Sequence, residues 1–371
     1  MPVRHPPLIS ALQPFIDSHS LAGAVTLVAT ADTILDIGVI GFADIANQRP
    51  MREDAMFWIA SMTKPITATA LMMLVDAGSV CLDEPVARYL PEFTDLWLAV
   101  ERDAEHVLLR RPSRPIIVRD LLCHTSGLPF CTLAEVPQFD QLALRVRTRT
   151  YAVTPLDFDP GSKAQYSNAG INLAGHIVEA VSGQAYETFL DERLFAPLGM
   201  RDTTFWPTPQ QSERLALAYR PDADKTGLDV TTISQLTHPL HDRSRTPLPA
   251  GGLFSTAADM ARFGQMIFNH GAWEGRQIVG ASAVDQMLTR QSQAYPAVTD
   301  IWGLGWWTDG AKWGHGGAYA TNLEIDPRTG LLVLYMVQHA GFPNNGTEAH
   351  ATFRAAAEAR FARVARPATP A

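Results

Sequence analysis

Strand-like sequence lies towards both ends of this chain, with helical sequence between them. Gly23 to Ala29 and Ile34 to Ile40 are rich in aliphatic and β-branched residues, and the intervening Thr30-Ala31-Asp32 stretch predicts a hairpin. The last third carries further runs of this kind at Gly303 to Trp307, Ala311 to His315, Thr321 to Ile325 and Leu331 to Gln338, with Asp326-Pro-Arg-Thr-Gly330 as a hairpin turn. A helix is expected at each terminus. Leu8 to Ser18 places Leu8, Leu12, Phe15 and Ile16 on one side, interrupted by Pro14, and Thr347 to Val364 is alanine-rich. Neither a sheet nor an amphipathic helix can cover its own apolar face, so these elements imply helices laid on a sheet.

The stretch Trp58-Ile59-Ala60-Ser61-Met62-Thr63-Lys64 runs into another helix, Pro65 to Ala77. Leu71, Leu74 and Val75 form its stripe and Gly78 stands where a glycine stops a helix, while Pro65 falls in the first turn, where amide protons lack acceptors. Ser61 then lies at the helix N-terminus, with Lys64 one turn on along the same face. A serine hydroxyl becomes a nucleophile when a neighbouring base takes its proton, and a desolvated lysine can be that base. The positive end of the helix also favours an oxyanion there. A capping serine followed by an exposed lysine has the same spelling.

Composition narrows the function classes. The chain has 371 residues with a formal charge of -8, which suits neither a nucleic-acid groove nor an anionic membrane surface. The Arg110-Arg111 and Arg114 cluster is short and reads as solvated, and no run is long enough to span a membrane. Met1-Pro-Val-Arg-His-Pro-Pro has no apolar stretch resembling a secretory signal, so a cytoplasmic protein is expected. Cys81, Cys123 and Cys131 then read as reduced thiols, a Cys123–Cys131 disulfide being the alternative. The histidines are scattered, without metal-ligand spacing.

Between the strand regions the pattern is mostly helix and loop. Val86 to Pro91 reads as a short helix, Trp97 to Leu109 mixes charge with apolar residues, and Ile117 to Cys123 is a helix that delivers His124. His124 reads either as an active-site wall or as a hydrogen-bonded structural histidine. Tyr166-Ser-Asn168 enters a helix from Ala169 to Ser182, whose core face is Ile171, Ala174, Ile177, Val178 and Val181 and whose stop is Gly183. Tyr166 and Asn168 could reach inward from that loop, or Asn168 could simply cap the helix. Leu194 to Met200 reads as loop, and Thr203 to Pro249 as a long irregular segment of the kind that forms a wall or lid. Thr256 and Asp259 form a capping signature for a helix carrying Met260, Phe263 and Ile267 and ending near Gly271. Trp302, Trp306, Trp307, Trp313 and Tyr319 crowd the last third, as core or as the lining of an apolar acyl pocket.

Ser61-Met-Thr-Lys64, Tyr166-Ser-Asn168 and His315-Gly316-Gly317 stand in this order along the chain. The ordered triple resembles the serine β-lactamase and penicillin-binding-protein superfamily, and its Tyr-x-Asn second motif the class C β-lactamase branch with its esterases, D-amino-acid peptidases and transesterases. Supporting stretches are Leu121-Leu-Cys-His-Thr-Ser-Gly127, Pro160-Gly-Ser162, Leu194-Phe-Ala-Pro-Leu-Gly-Met200 and Ala250-Gly-Gly-Leu-Phe-Ser-Thr256. The resemblance implies Ser61 as nucleophile, Lys64 as its electrostatic partner and proton shuttle, and Tyr166 as the general base that later protonates the leaving group. Asn168 would orient Lys64 and the substrate, and the backbone amides of Ser61 and Ala318 would form the oxyanion hole. A Tyr166 pKa depressed by Lys64 is the physical logic of that pair. The glycines after His315 would let a substrate backbone approach.

The implied fold is an α/β fold of α+β type. An antiparallel sheet, about 1–60 and 250–366, is flanked by terminal helices and carries a mostly helical insertion, about 61–249, with a frayed tail at 367–371. The whole forms a single catalytic domain with its active site in the crevice between the two parts. Where penicillin-recognising relatives carry a lysine this chain has His315, which offers little fixed charge to a substrate carboxylate. The expected function is therefore serine-dependent hydrolysis of short-chain carboxylic esters through an acyl-enzyme, with possible acyl transfer. β-Lactamase, D-amino-acid peptidase or amidase activity is the alternative, and a catalytically silent binding protein is the alternative from another class. A small-molecule ester or amide is the expected partner, with no nucleic acid, no membrane, and no metal or organic cofactor.

Overall fold

In the computed structural model, residues 7–291 and 302–362 are described. The expected tail at 367–371 and the last residues of the expected C-terminal helix lie outside them. The main sheet uses β1 (Gly23–Ala29), β2 (Ile34–Asp44), β3 (Arg49–Pro50), β4 (Trp307–Thr308), β5 (Trp313–Gly316), β6 (Asn322–Asp326) and β7 (Leu331–Met336). Its order is β4-β5-β6-β7-β1-β2-β3, antiparallel at every pairing. β1 and β7, distant in sequence, meet at the centre with Leu27 opposite Leu334.

The period of two along these strands divides the molecule into two cores. Val25, Leu27 and Ala29 of β1, with Leu332, Leu334 and Met336 of β7, face the larger core. Ala24 and Val28, with Leu331, Val333 and Tyr335, face the smaller one. Four longer helices matter here: α1 (Thr63–Asp76), α2 (Asn168–Ser182), α3 (Ala257–Phe268) and α4 (Ala349–Phe361). The smaller core is closed by Phe353 and Ala357 of α4 and by Leu8, Leu12 and Phe15 of the N-terminal helical turns. Pro14 is accommodated because those turns are a 3₁₀ segment, Leu8–Leu12, and a separate helix, Gln13–Asp17, with the proline in its first turn.

On the other face, α1 is buried on every side from Thr63 to Leu74, not along one stripe, because it is the central helix between the sheet side and the helical layer. α2 packs against it, starting at Ser167, whose hydroxyl accepts the Gly170 amide at 3.1 Å, and ending at Gly183 with φ +70°. The cap is thus Ser167 and not Asn168, which leaves the Asn168 side chain free to turn inward.

Several segments depart from expectation. Trp97 to Leu109 contains a hairpin, Leu98–Arg102 with Val107–Arg110, whose Val100, Val107 and Leu108 are exposed and so leave no core periodicity in the sequence. Leu194 to Met200 is helical turn, ended by Gly199 at φ +67°. Gly303 to Trp307 is not a strand, since Leu304 and Gly305 donate to Met287 and Leu122 carbonyls instead of to the sheet; only Trp307–Thr308 pairs. Thr203 to Pro249 holds a short helix, Pro209–Glu213, and a hairpin, Ala218–Pro221 with Leu228–Thr231. A helix, Ala281–Leu288, stands where no element is expected from sequence. Thr256 does cap α3, accepting the Asp259 amide at 3.2 Å, but the Asp259 carboxylate turns away to the Asp202 amide, the Thr203 hydroxyl and Arg262. All three cysteines are free thiols.

Candidate active site

Ser61 sits in a 3₁₀ turn, Ala60–Met62, directly before α1. The turn is held on both sides. Trp58 donates its amide to Gln338 Oε1 at 3.0 Å and its indole N–H to the Gly251 carbonyl at 2.7 Å, while the Ile59 amide donates to the Leu253 carbonyl at 3.0 Å. Between these anchors Ala60 adopts φ +46°, a left-handed conformation uncommon for alanine and costly without such restraint. Ser61 is half-buried.

Lys64 is fully buried, which excludes the exposed-lysine reading of the motif. Its Nζ lies 3.0 Å from Ser61 Oγ, 2.8 Å from Asn168 Oδ1 and 2.6 Å from the Ala250 carbonyl. No carboxylate among the described residues offsets its charge, and burial alone holds its pKa well below the ordinary lysine range. Two of the three partners, the Asn168 and Ala250 oxygens, can only accept. The third, the Ser61 hydroxyl, can accept from an ammonium or donate to an amine lone pair, so both protonation states of Lys64 are satisfied in one geometry.

Tyr166 completes the cluster. Its hydroxyl hydrogen-bonds the Ser61 side chain, and its ring lies 4.7 Å from Lys64 Nζ, centroid to nitrogen. The expectation of a depressed Tyr166 pKa is corrected here: burial raises it, and the hydrogen bond with Ser61 offsets this only in part. Asn168, from the first turn of α2, is buried and reaches Lys64 as expected.

His315 lies on β5 opposite Leu323, which points into the larger core, so its ring falls on the same face as that core. Nδ1 is 2.8 Å from the Gly316 carbonyl, which makes Nδ1 the protonated nitrogen of the neutral ring. Burial, reinforced by Lys64, pushes its pKa down to about 3, so His315 carries no charge at neutral pH. Gly316 and Ala318 are exposed at the end of β5. Gly317 has a different role from the expected one. A Cβ there would stand 2.6 Å from the Ile59 carbonyl and 2.1 Å from Thr321 Oγ1, so the glycine lets the strand end press against the Ser61 turn; it does not open room for substrate.

The tryptophans divide by position. Trp306 is core, stacked on Phe263 at 6.0 Å, and Trp307 lies beneath Lys312. Trp313 packs against the larger core. Trp302 reaches the site, 5.5 Å from Tyr166 and 5.9 Å from His315, ring to ring. Tyr319 packs edge-on to Trp58 at 5.1 Å and donates to the Thr232 carbonyl at 2.9 Å. Ile233, Leu236 and Leu248 join Trp58 and Ala60 in one apolar cluster, so the 203–249 segment is a wall against the Ser61 turn.

Phe130 and the Ala250 carbonyl were not singled out from sequence, whereas His124 was. Phe130, 42% exposed, stacks on Tyr166 at 6.3 Å and meets Phe139 edge-on, adding an apolar rim. His124 is buried between Tyr166 and Trp302; its Nδ1 accepts the Ser167 amide at 3.2 Å, which makes it an anchor of the Tyr166 loop and also a wall of the site. Ala250 supplies a carbonyl to Lys64. A backbone acceptor leaves no signature in a sequence.

The Beta-lactamase family profile matches residues 8–357. Protein Rv1367c of Mycobacterium tuberculosis is 33% identical over 364 residues, covering 89% of each chain. Esterase EstB of Burkholderia gladioli is 30% identical over 358 residues, covering 86% of each. Among solved structures, EstCE1, described as a hydrolase with promiscuous acyltransferase activity, has a TM-score of 0.78 at 23% identity, covering 95% of this chain and 97% of that one. No helix among the described residues is long and apolar enough to cross a membrane.

Proposed function

Because this chain belongs to the Beta-lactamase family and is a serine hydrolase, we propose that it cleaves neutral carboxylic esters through an acyl-enzyme on Ser61. The observation that carries the reading is Lys64, fully buried, without a counter-ion among the described residues, and 3.0 Å from Ser61 Oγ. A buried charge with no pair is costly, and a pKa lowered towards neutrality is what a general base needs.

The roles follow from the opposite shifts of the two titrating groups. Lys64, lowered, takes the Ser61 proton as Oγ attacks the ester carbonyl carbon. Tyr166, raised, remains a phenol bonded to Ser61 and gives its proton to the departing alkoxide as the C–O bond breaks; Lys64 then returns a proton to the phenolate. This inverts the assignment implied by resemblance, in which Tyr166 was the base and Lys64 its cation. The amides of Ser61 and Ala318 stabilise the tetrahedral oxyanion beside the positive end of α1. Water repeats the sequence on the acyl-enzyme, or an alcohol does so to give acyl transfer.

Substrate class follows from the walls. Trp302, Phe130 and Phe139 are aromatic, and His315 stays neutral down to about pH 3, so it offers no cation to a carboxylate. Esterase EstB, the relative named above, supports the same reading. The test is steady-state kinetics of one preparation on p-nitrophenyl butyrate and on a chromogenic cephalosporin. We expect kcat/KM to favour the ester by at least ~100-fold, about 2.7 kcal/mol; comparable values overturn the ester reading.

A further inference from the structure

We propose that Asn172 is a positioning residue for this reaction, fixing the backbone at Ala250 so that its carbonyl holds Lys64 against Ser61, with Glu135 setting the direction of that hold through Tyr151. The inference rests on Lys64 being the base. Asn172 lies one helical turn beyond Asn168 on α2, so both amides share a face: Asn168 reaches Lys64 directly, and Asn172 reaches it through the backbone.

The chain of contacts is continuous and buried. Tyr151 donates its hydroxyl to Glu135 Oε1 at 2.6 Å, and Asn172 Nδ2 donates to the Tyr151 oxygen at 3.0 Å. Asn172 Oδ1 accepts the Ala250 amide at 2.9 Å, and the Ala250 carbonyl accepts from Lys64 Nζ at 2.6 Å. Glu135, Tyr151 and Asn172 are no more than 2% exposed.

The polarity of this chain is set at its far end. The Glu135 carboxylate, with Arg147 Nε at 3.6 Å, accepts the Thr132 amide through its other oxygen and can only accept from Tyr151. Tyr151 has one proton, so its oxygen must accept from Asn172. The Asn172 NH₂ group therefore faces Tyr151, and its carbonyl faces the Ala250 N–H. A flipped amide would set N–H against N–H.

The strap bearing Ala250 is held elsewhere as well, which isolates what Asn172 adds. Arg147 donates to the Pro247 carbonyl at 3.0 Å, Thr67 to the Pro249 carbonyl at 2.6 Å, and Gly175 leaves room for the Pro249 ring, which a Cβ there would meet at 2.4 Å. Those contacts seat the strap between α1, α2 and the helix Leu144–Val153. With the Pro249 carbonyl bound at one end, the Asn172 bond at the Ala250 amide fixes the plane of that peptide. The Gly251 amide then bonds the Leu248 carbonyl, and the Ala250 carbonyl is left pointing at Lys64.

The experiment compares Asn172→Leu, Asn172→Asp and Tyr151→Phe with wild type, measuring kcat and KM on p-nitrophenyl butyrate across pH, with thermal unfolding in parallel. We expect kcat to fall at least ~10-fold in Asn172→Leu, with KM changed less than ~3-fold, because the loss lies in Lys64 alignment and not in ester binding. The acid limb of kcat/KM moves to lower pH in Asn172→Leu, which loosens an acceptor of the ammonium. It moves to higher pH in Asn172→Asp, whose carboxylate favours the ammonium. Tyr151→Phe, lacking one oxygen, follows Asn172→Leu in direction and carries the test if the leucine variant fails to fold. A limb that stays in place in every folded variant, with activity lost only in proportion to the unfolded fraction, overturns the role of Asn172. Wild-type turnover in which a fluorophosphonate fails to label Ser61 overturns the proposed function along with it.

Discussion

Burial of Lys64 leads to a test that does not need a substrate. In the unfolded chain its pKa returns to the ordinary lysine value of 10.5, whereas in the fold it lies well below, with desolvation as the cause. Between the folded and unfolded values the unfolded state binds more protons, so stability rises with pH across that window, by up to about 1.4 kcal/mol per pH unit for one group. Below the folded pKa the penalty is constant, and above 10.5 it vanishes. Lys64→Met has nearly the same length and no proton. It removes the penalty and leaves the Asn168 and Ala250 oxygens without their donor, at a cost of roughly 1–3 kcal/mol each. The difference between variant and wild type should therefore depend on pH. From pH 7 to pH 9, wild type should gain on the variant wherever the pH lies above the lowered folded pKa. His124 and His315, which Lys64 also lowers, stay lowered by burial in the variant and titrate below this window; the remaining titrating groups are common to the two chains and cancel. The assay is equilibrium urea unfolding at half-unit pH steps, with turnover of p-nitrophenyl butyrate recorded on the same samples and expected to fall by at least ~10³. Parallel stability curves between pH 7 and pH 9.5 would refute the depressed pKa, and the base assignment with it.

His315→Gln should leave the acid limb of the ester pH profile where it is, because His315 is already neutral down to about pH 3; a wild-type limb near pH 6.5 that disappears in the variant would contradict this. Gly317→Ala should lower stability by about 1–3 kcal/mol through overpacking and lower kcat by ~10–100-fold through displacement of the Ser61 turn, since the new Cβ meets the Ile59 carbonyl at 2.6 Å. Thermal unfolding and steady-state kinetics check both effects, and unchanged kcat would show that the turn does not feel the strand end.

The residues proposed to carry chemistry were legible because a covalent mechanism of this kind would constrain residue type at fixed spacing. Ser61 and Lys64 lie three apart at a helix start, Tyr166 and Asn168 flank a cap, and His315 precedes two glycines. Helices and strands facing a core were legible for a similar reason: burial on one side imposes a period on the sequence, as in β1 and β7. The exposed hairpin at 98–110 was missed because it carries no such period, whereas the helix Ala281–Leu288 does carry one, with Ala283, Val284, Met287 and Leu288 buried on one side, and was open to recognition. Asn172 was open to discovery as a polar residue one turn after Asn168 on the same face, yet its meaning depends on Tyr151 and Glu135, which only folding brings beside it.

Protonation was beyond the sequence altogether. The resemblance implied Tyr166 as base and Lys64 as cation, while the Ser-x-x-Lys spacing alone allowed Lys64 as base; burial lowers the lysine and raises the phenol. The reason is physical: a pKa measures how well the surroundings solvate a charge. Those surroundings are the Ala250 carbonyl and the face of the Tyr166 ring, each brought to Lys64 from more than a hundred residues away, with no carboxylate partner among the described residues.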